Sequence, residues 1–361
     1  MLRLRNKPQG QVVDKKHINL ALQGGGAHGA FAWGVLDRLL DEDWLVIDGI
    51  SGTSAGAMNG AAVKAGLALG SGKAGRRAAK ENLAYIWNNV SEVSDNRMIR
   101  WLTSNMPVPR GMQRWAELFP PAASLESMTR IFSPYDYGPF YSNPLGPILK
   151  SMPHPVFWSD SGPQLFINAT NVRTGRIKVF TGAEATCDAV TASACLPTLF
   201  RAVEITDPRS GRREAYWDGG YSGNPALYPL FATALPRDIV IVNINPMMRE
   251  ALPRTPAEIQ DRINEVSFNS SLMRELRAIN FVKKLWAEER LTNRPMKNPL
   301  IHMIMDDVLM NDLNARSKLL PNPQMLDRMR TAGQAAADAF LTEHADALNH
   351  QDTVDLPSLF S

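Results

Sequence analysis

The sequence predicts an α/β fold, and three observations predict it. A strand, a glycine-rich turn and a helix follow one another twice between residues 18 and 69. Residues 238–245 (DIVIVNIN) form the nearly continuous apolar run expected of a strand buried on both faces. Short strands and helical stretches continue to alternate down the chain, which is the pattern of helices packed on a sheet.

Taken in order, Ile18-Asn19-Leu20-Ala21-Leu22-Gln23 alternates and reads as a strand. It runs straight into Gly24-Gly25-Gly26-Ala27-His28-Gly29. Phe31, Val35, Leu36, Leu39 and Leu40 then recur at helical spacing until Asp41-Glu42-Asp43 closes that helix. A second strand, Leu45 to Ile50, leads through Ser51-Gly52-Thr53-Ser54-Ala55-Gly56 into an Ala-rich helix over about 57–69. From about 96 to 155 the periodicity dissolves, and aromatics such as Trp101, Trp115, Phe132, Tyr135 and Tyr141 mix with many prolines. That stretch is too apolar for a solvated linker and too proline-rich for a sheet element, so it reads as a cap over the sheet. A packed subdomain without a binding role is the competing reading.

Regular structure resumes at Leu165–Asn168 and Ile177–Phe180, joined by a turn near Thr174-Gly175. An Ala/Thr-rich helix ends at Ala194-Cys195-Leu196-Pro197. Val203–Thr206 and Glu214–Trp217 form a hairpin that ends at Asp218-Gly219-Gly220. After the buried strand, Thr255-Pro256-Ala257-Glu258 is a capping box that opens a helix to about Trp286. A strand at Leu300–Met305 and a helix over about 325–348 complete the chain.

The 361 residues suffice for one large domain or two small ones. With 39 Lys and Arg against 36 Asp and Glu, interspersed, there is no electrostatic footprint for nucleic acid. Two cysteines, Cys187 and Cys195, exclude a disulfide framework and a four-Cys zinc site, and both are expected to be buried and inert. The N-terminal residues are basic without a signal-peptide-length apolar stretch, and no run of 18 apolar residues occurs. A cytoplasmic protein that meets a membrane only from its surface is the expectation.

Gly52-Thr53-Ser54-Ala55-Gly56 matches G-x-S-x-G between a strand and a helix. A turn tight enough to lift a Ser hydroxyl into a site crowds the backbone, and glycine on either side tolerates that crowding. As a bare pattern, about 0.1 chance matches are expected in a chain this long; the competing reading is a structural Gly-Ser turn. A nucleophilic Ser needs a base and donors for an oxyanion. In the order Ser, Asp, His, a triad would use Asp218 with His302 or His344. His302 lies in an apolar strand, as a core residue would. The alternative base is Asp218 itself, whose pKa an apolar pocket would raise. Gly24, Gly26 and Gly29 also match G-x-G-x-x-G, and Asp48 lies near the spacing of about 20 residues for a ribose-binding acid. A dinucleotide-binding oxidoreductase is therefore a second reading. It leaves the turn at Gly52–Gly56 unexplained, and the absence of G-K-[S/T] excludes a phosphate loop.

Gly24-Gly25-Gly26-Ala27-His28-Gly29, Gly52-Thr53-Ser54-Ala55-Gly56 and Asp218-Gly219-Gly220, in this order, resemble the motifs of the patatin-like phospholipases. The Ala-Ser-rich, proline-ended stretch Ala192-Ser193-Ala194-Cys195-Leu196-Pro197 is similar to one that family carries before its Asp. The resemblance spans roughly residues 17–245. It implies a three-layer α/β/α sandwich on a mixed, mainly parallel sheet, and a lipid acyl hydrolase with a Ser–Asp dyad lacking His. On this resemblance Ser54 is the nucleophile, Asp218 the base and Gly24–Gly29 the oxyanion loop. No metal and no organic cofactor are implied, and the partner is a lipid ester at a membrane or aggregate surface. His28 departs from the family's usual Arg or Lys, which weakens any role for a fixed positive charge there. The implied organisation is a basic tail at 1–16, a catalytic domain at 17–250 carrying the cap, and a mostly helical extension at 251–361 on the same core.

Overall fold

Apolar side chains on both faces commit the first strand, β1 (Lys16–Leu22), to the interior, and it is buried from Ile18 onward. It lies between β2 (Leu45–Thr53) and β7 (Asp238–Val242), parallel to both. β3 (Gln164–Asn171) runs parallel on the far side of β2, and β8 (Leu300–Ile304) runs parallel beyond β7. β4 (Ile177–Thr181) and β6 (Arg213–Asp218) pair antiparallel with β3, and β5 (Val203–Thr206) closes a hairpin with β6. The computed structural model describes residues 14–70, 72–92, 133–136, 143–290, 297–313 and 322–360. Most of the expected cap and nearly all of the basic tail lie outside the described residues.

Alternation along the central strands builds two cores. Ile18, Leu20 and Leu22 of β1 and Val240 and Val242 of β7 face one side. There they meet α1 (Gly29–Leu39), α2 (Ala55–Leu67), α3 (Lys73–Glu92), α4 (Leu145–Lys150) and α5 (Cys187–Ser193). Ile239 and Ile241 face the other side, against Leu272, Leu276 and Ile279 of α6 (Pro256–Ala287) and against Leu227 and Leu230. The result is the expected three-layer α/β/α sandwich on a mixed, mainly parallel sheet.

Two further helices, α7 (Asp307–Asp312) and α8 (Pro323–His344), follow β8. α8 packs on α1 backbone to backbone: a Cβ on Gly34 would fall 1.9 Å from the Arg330 carbonyl oxygen, and one on Gly333 would fall 2.0 Å from that of Phe31. The last third of the chain thus supplies a strand to the same sheet and a helix to the same layer. The capping box is formed as expected, with the Glu258 N–H donated to Thr255 Oγ1 and the Thr255 N–H to the Glu258 carboxylate, an arrangement worth about 1 kcal/mol.

Two expectations are corrected. α3 has no counterpart in the sequence reading: its buried face begins with the small residues Gly75, Ala78 and Ala79 and the polar Asn82, and the large apolar residues Leu83, Ile86 and Trp87 come only in its second half. Cys187 is only half-buried, at the start of α5, whereas Cys195 is fully buried with its thiol pushed up to about 12 by burial.

Candidate active site

β2 passes into α2 through a single residue, Ser54. Its backbone sits at φ 55°, ψ −123°, a region that glycine tolerates and side chains rarely adopt. The elbow is tight because α2 starts against β1: a Cβ on Gly56 would fall 2.1 Å from the Leu22 carbonyl oxygen, and one on Gly52 would fall 2.6 Å from that of Gly56. Larger residues at those two places are sterically excluded. Thr53 donates its hydroxyl to the Gly223 carbonyl at 2.7 Å, and Ala55 is buried at the first turn of α2. The Ser54 N–H is donated to Ser193 Oγ at 2.9 Å, and Ser193 in turn donates to the Asn168 carbonyl at 2.6 Å.

Asp218 ends β6, opposite Ala169 of β3. A Cβ on Gly219 would fall 2.1 Å from the Asn168 carbonyl oxygen, so glycine there lets the segment after β6 lie flat on the end of β3 beside Thr53. Asp218 is fully buried. Its Oδ1 accepts the Gly220 N–H at 2.8 Å, while Oδ2 has no partner in hydrogen-bond geometry. The Ser54 side chain lies beside the carboxylate and favours its charged form. Burial outweighs both donors and pushes the carboxyl up to about 7. A carboxylate poised there is a competent general base at neutral pH.

The glycine-rich turn completes the arrangement. Gly24 lies against the elbow, since a Cβ on it would fall 2.6 Å from that of Ser54. Gly26, at φ +59°, starts a short 3₁₀ turn through His28, and Gly29 opens α1. The Gly24 N–H is donated to Asn224 Oδ1, that of His28 to Gly25 O, and that of Gly29 to Ala27 and Gly26. Among the described residues, the N–H groups of Gly25, Gly26 and Ala27 meet no acceptor. They stand beside a helix N-terminus, where developing negative charge is favoured. His28 is buried and presents no side chain to solvent.

The structure does not bring the competing sets together. Asp48 lies in the first half of β2 and pairs with His17 at 2.6 Å, away from the glycine-rich turn. His302 is fully buried at 2.9 Å from Asp238, which begins β7, and His344 is half-buried at the end of α8 beside Glu343. A cavity of about 300 Å³ lined by Lys64, Asp160 and Gln164 opens by the start of β3, at the opposite sheet end from Ser54. Among the described residues, no group of three His, Cys, Asp or Glu side chains could hold a metal.

Three polar residues to which the sequence reading gave no role of their own belong to this site. Asn168 donates to Ser51 Oγ, Gly52 O and Thr53 Oγ1, each at 3.1 Å, and so ties β3 to the elbow. Ser193 and Asn224 hold Ser54 and Gly24 as described. Polar residues at apolar strand ends, such as Asn168 after Leu165-Phe166-Ile167, are the available signal.

A model of the patatin-like phospholipases, family name Patatin, matches residues 20–231. Among curated proteins none matches. Among solved structures, the crystal structure of VipD from Legionella pneumophila is similar at 16% identity with a TM-score of 0.41, covering 91% of this chain and 67% of that one.

Proposed function

The chain belongs to the patatin-like phospholipase family and is a lipid hydrolase; from that premise we propose that it cleaves fatty-acyl esters through a Ser54–Asp218 dyad. The observation that carries the reading is the placement of Ser54, on a backbone normally left to glycine, beside a fully buried carboxylate pushed up to about 7. Asp218 takes the hydroxyl proton as Ser54 Oγ attacks the ester carbonyl. The N–H groups of Gly25–Ala27 hold the oxyanion. Asp218 then gives the proton to the leaving alcohol, and the acyl group remains on Ser54. Water loses its proton to Asp218 as it attacks the acyl-enzyme, and the proton returns to Ser54 as the fatty acid departs.

The substrate is an ester presented by a membrane or lipid aggregate. No helix among the described residues is long and apolar enough to cross a membrane. A fluorophosphonate probe should label the protein once, and peptide mapping should find the label on Ser54. Turnover should also rise when the same ester passes the concentration at which it aggregates. Label on another residue would overturn the dyad, and an unchanged rate would overturn the lipid surface.

A further inference from the structure

Buried amides from within the family match, Asn224, and from beyond its end at residue 231, Asn245 and Asn269, converge on the glycine-rich turn. The Gly24 N–H is donated to Asn224 Oδ1 at 2.6 Å. The Gly24 carbonyl accepts from Asn224 Nδ2 at 3.2 Å and from Asn245 Nδ2 at 2.8 Å. That carbonyl shares one rigid peptide plane with the Gly25 N–H, and the two point in opposite directions. Gripping the carbonyl therefore aims the N–H. Glycine on both sides of this bond would otherwise leave the plane free to turn over.

The gripping residues are themselves held. Gln23 Oε1 accepts from Asn245 Nδ2 at 3.1 Å, and Gln23 Nε2 donates to Asn269 Oδ1 of α6 at 3.1 Å. The Asn224 N–H is donated to Ser271 Oγ of α6 at 2.9 Å. On the same helix, Phe268 stacks edge-on against Tyr221, beside Asp218-Gly219-Gly220, with ring centroids 5.5 Å apart. One helix outside the matched segment thus reaches both halves of the candidate site.

We propose that Asn224 and Asn245 are positioning residues, held by Ser271 and Asn269 of α6, that fix the Gly24–Gly25 peptide with its N–H toward the reacting carbonyl oxygen. The proposal rests on the reading of Ser54 and the glycine-rich turn as the reacting site. It assigns the long C-terminal helix a part in turnover as well as in packing.

The test compares full-length Asn224→Asp, Asn245→Asp and Ser271→Ala with wild type. Each is assayed for ester kcat and KM, for the rate of Ser54 labelling by the fluorophosphonate, and for its thermal unfolding midpoint. A carboxylate at 224 or 245 repels the Gly24 carbonyl and cannot donate to it. Either Asp variant should lose kcat on the order of 10²-fold, with a matching loss in labelling rate and KM within about twofold. Ser271→Ala, which leaves the gripping amides in place, should lose about threefold to tenfold by the same split. Ser270→Ala on the same helix, whose exposed hydroxyl bonds to the Ser267 carbonyl within the helix, should change neither. If the Asp variants do not fold, Ser271→Ala alone decides. Folded variants with wild-type kcat, or with a change confined to KM or to the unfolding midpoint, would overturn the inference. A wild-type protein labelled elsewhere than Ser54 would instead overturn the reading it rests on.

Discussion

Ser54→Ala is expected to reduce ester hydrolysis by roughly 10⁴–10⁶-fold and to abolish fluorophosphonate labelling. Alanine leaves the backbone where it is, since it meets at φ 55° the same restriction that serine does. The hydroxyl alone is removed. The nearest alternative nucleophile would be Ser193, but it is fully buried and its Oγ is engaged at both ends, by the Ser54 N–H and the Asn168 carbonyl. Intact-mass and peptide mapping after probe treatment give the readout. Continued labelling of the Ala variant on Ser193 would move the nucleophile and discard the elbow assignment.

Asp218→Asn should lower kcat by about 10²–10⁴-fold, the usual contribution of general-base assistance. Asparagine keeps the size and can still accept the Gly220 N–H, but it cannot take a proton from Ser54. The pH profile follows from the carboxyl's position at about 7. Only the ionised form is a base, and its fraction falls as pH drops below that point. The rate should level above about pH 7 and fall about tenfold per unit well below it. A limb near 7 overlaps an ordinary imidazole at about 6.5, so the substitutions discriminate where the profile does not. His344→Gln should stay within a few fold of wild type, because His344 sits at the end of α8. A thousandfold loss there, with Asp218→Asn active, would make the protein a Ser–His hydrolase.

What was legible in the sequence was whatever a short window could hold. Gly52-Thr53-Ser54-Ala55-Gly56 and Asp218-Gly219-Gly220 announce themselves because close backbone approach demands glycine at fixed offsets from one functional residue. The strands of the sheet were visible through alternation or short apolar runs, and the capping box at Thr255 through residues three apart. The amide network was not legible. Gln23, Asn224, Asn245 and Asn269 lie up to 246 positions apart, and each alone looks like a surface residue until the fold buries them together. A helix such as α3, whose first turns bury Gly75, Ala78 and Ala79, gives little apolar contrast to read there. The value at which Asp218 titrates depends on the removal of water, which no local pattern encodes.

The backbone of Ser54 also sets selection for turnover against selection for a durable fold. A serine held in that conformation costs on the order of 1–3 kcal/mol, and glycine would relieve most of it. Part of the gain is returned because glycine is freer in the unfolded chain. Ser54→Gly should therefore unfold at a higher temperature than Ser54→Ala, by the equivalent of roughly 1 kcal/mol, while being equally inactive. Calorimetry on the two variants measures the difference, and a lower midpoint for the glycine variant would contradict it. Were a copy of this protein released from its reaction, drift should carry position 54 toward glycine while the rest of the elbow stays put. A serine retained there marks a lineage still under selection to turn over substrate.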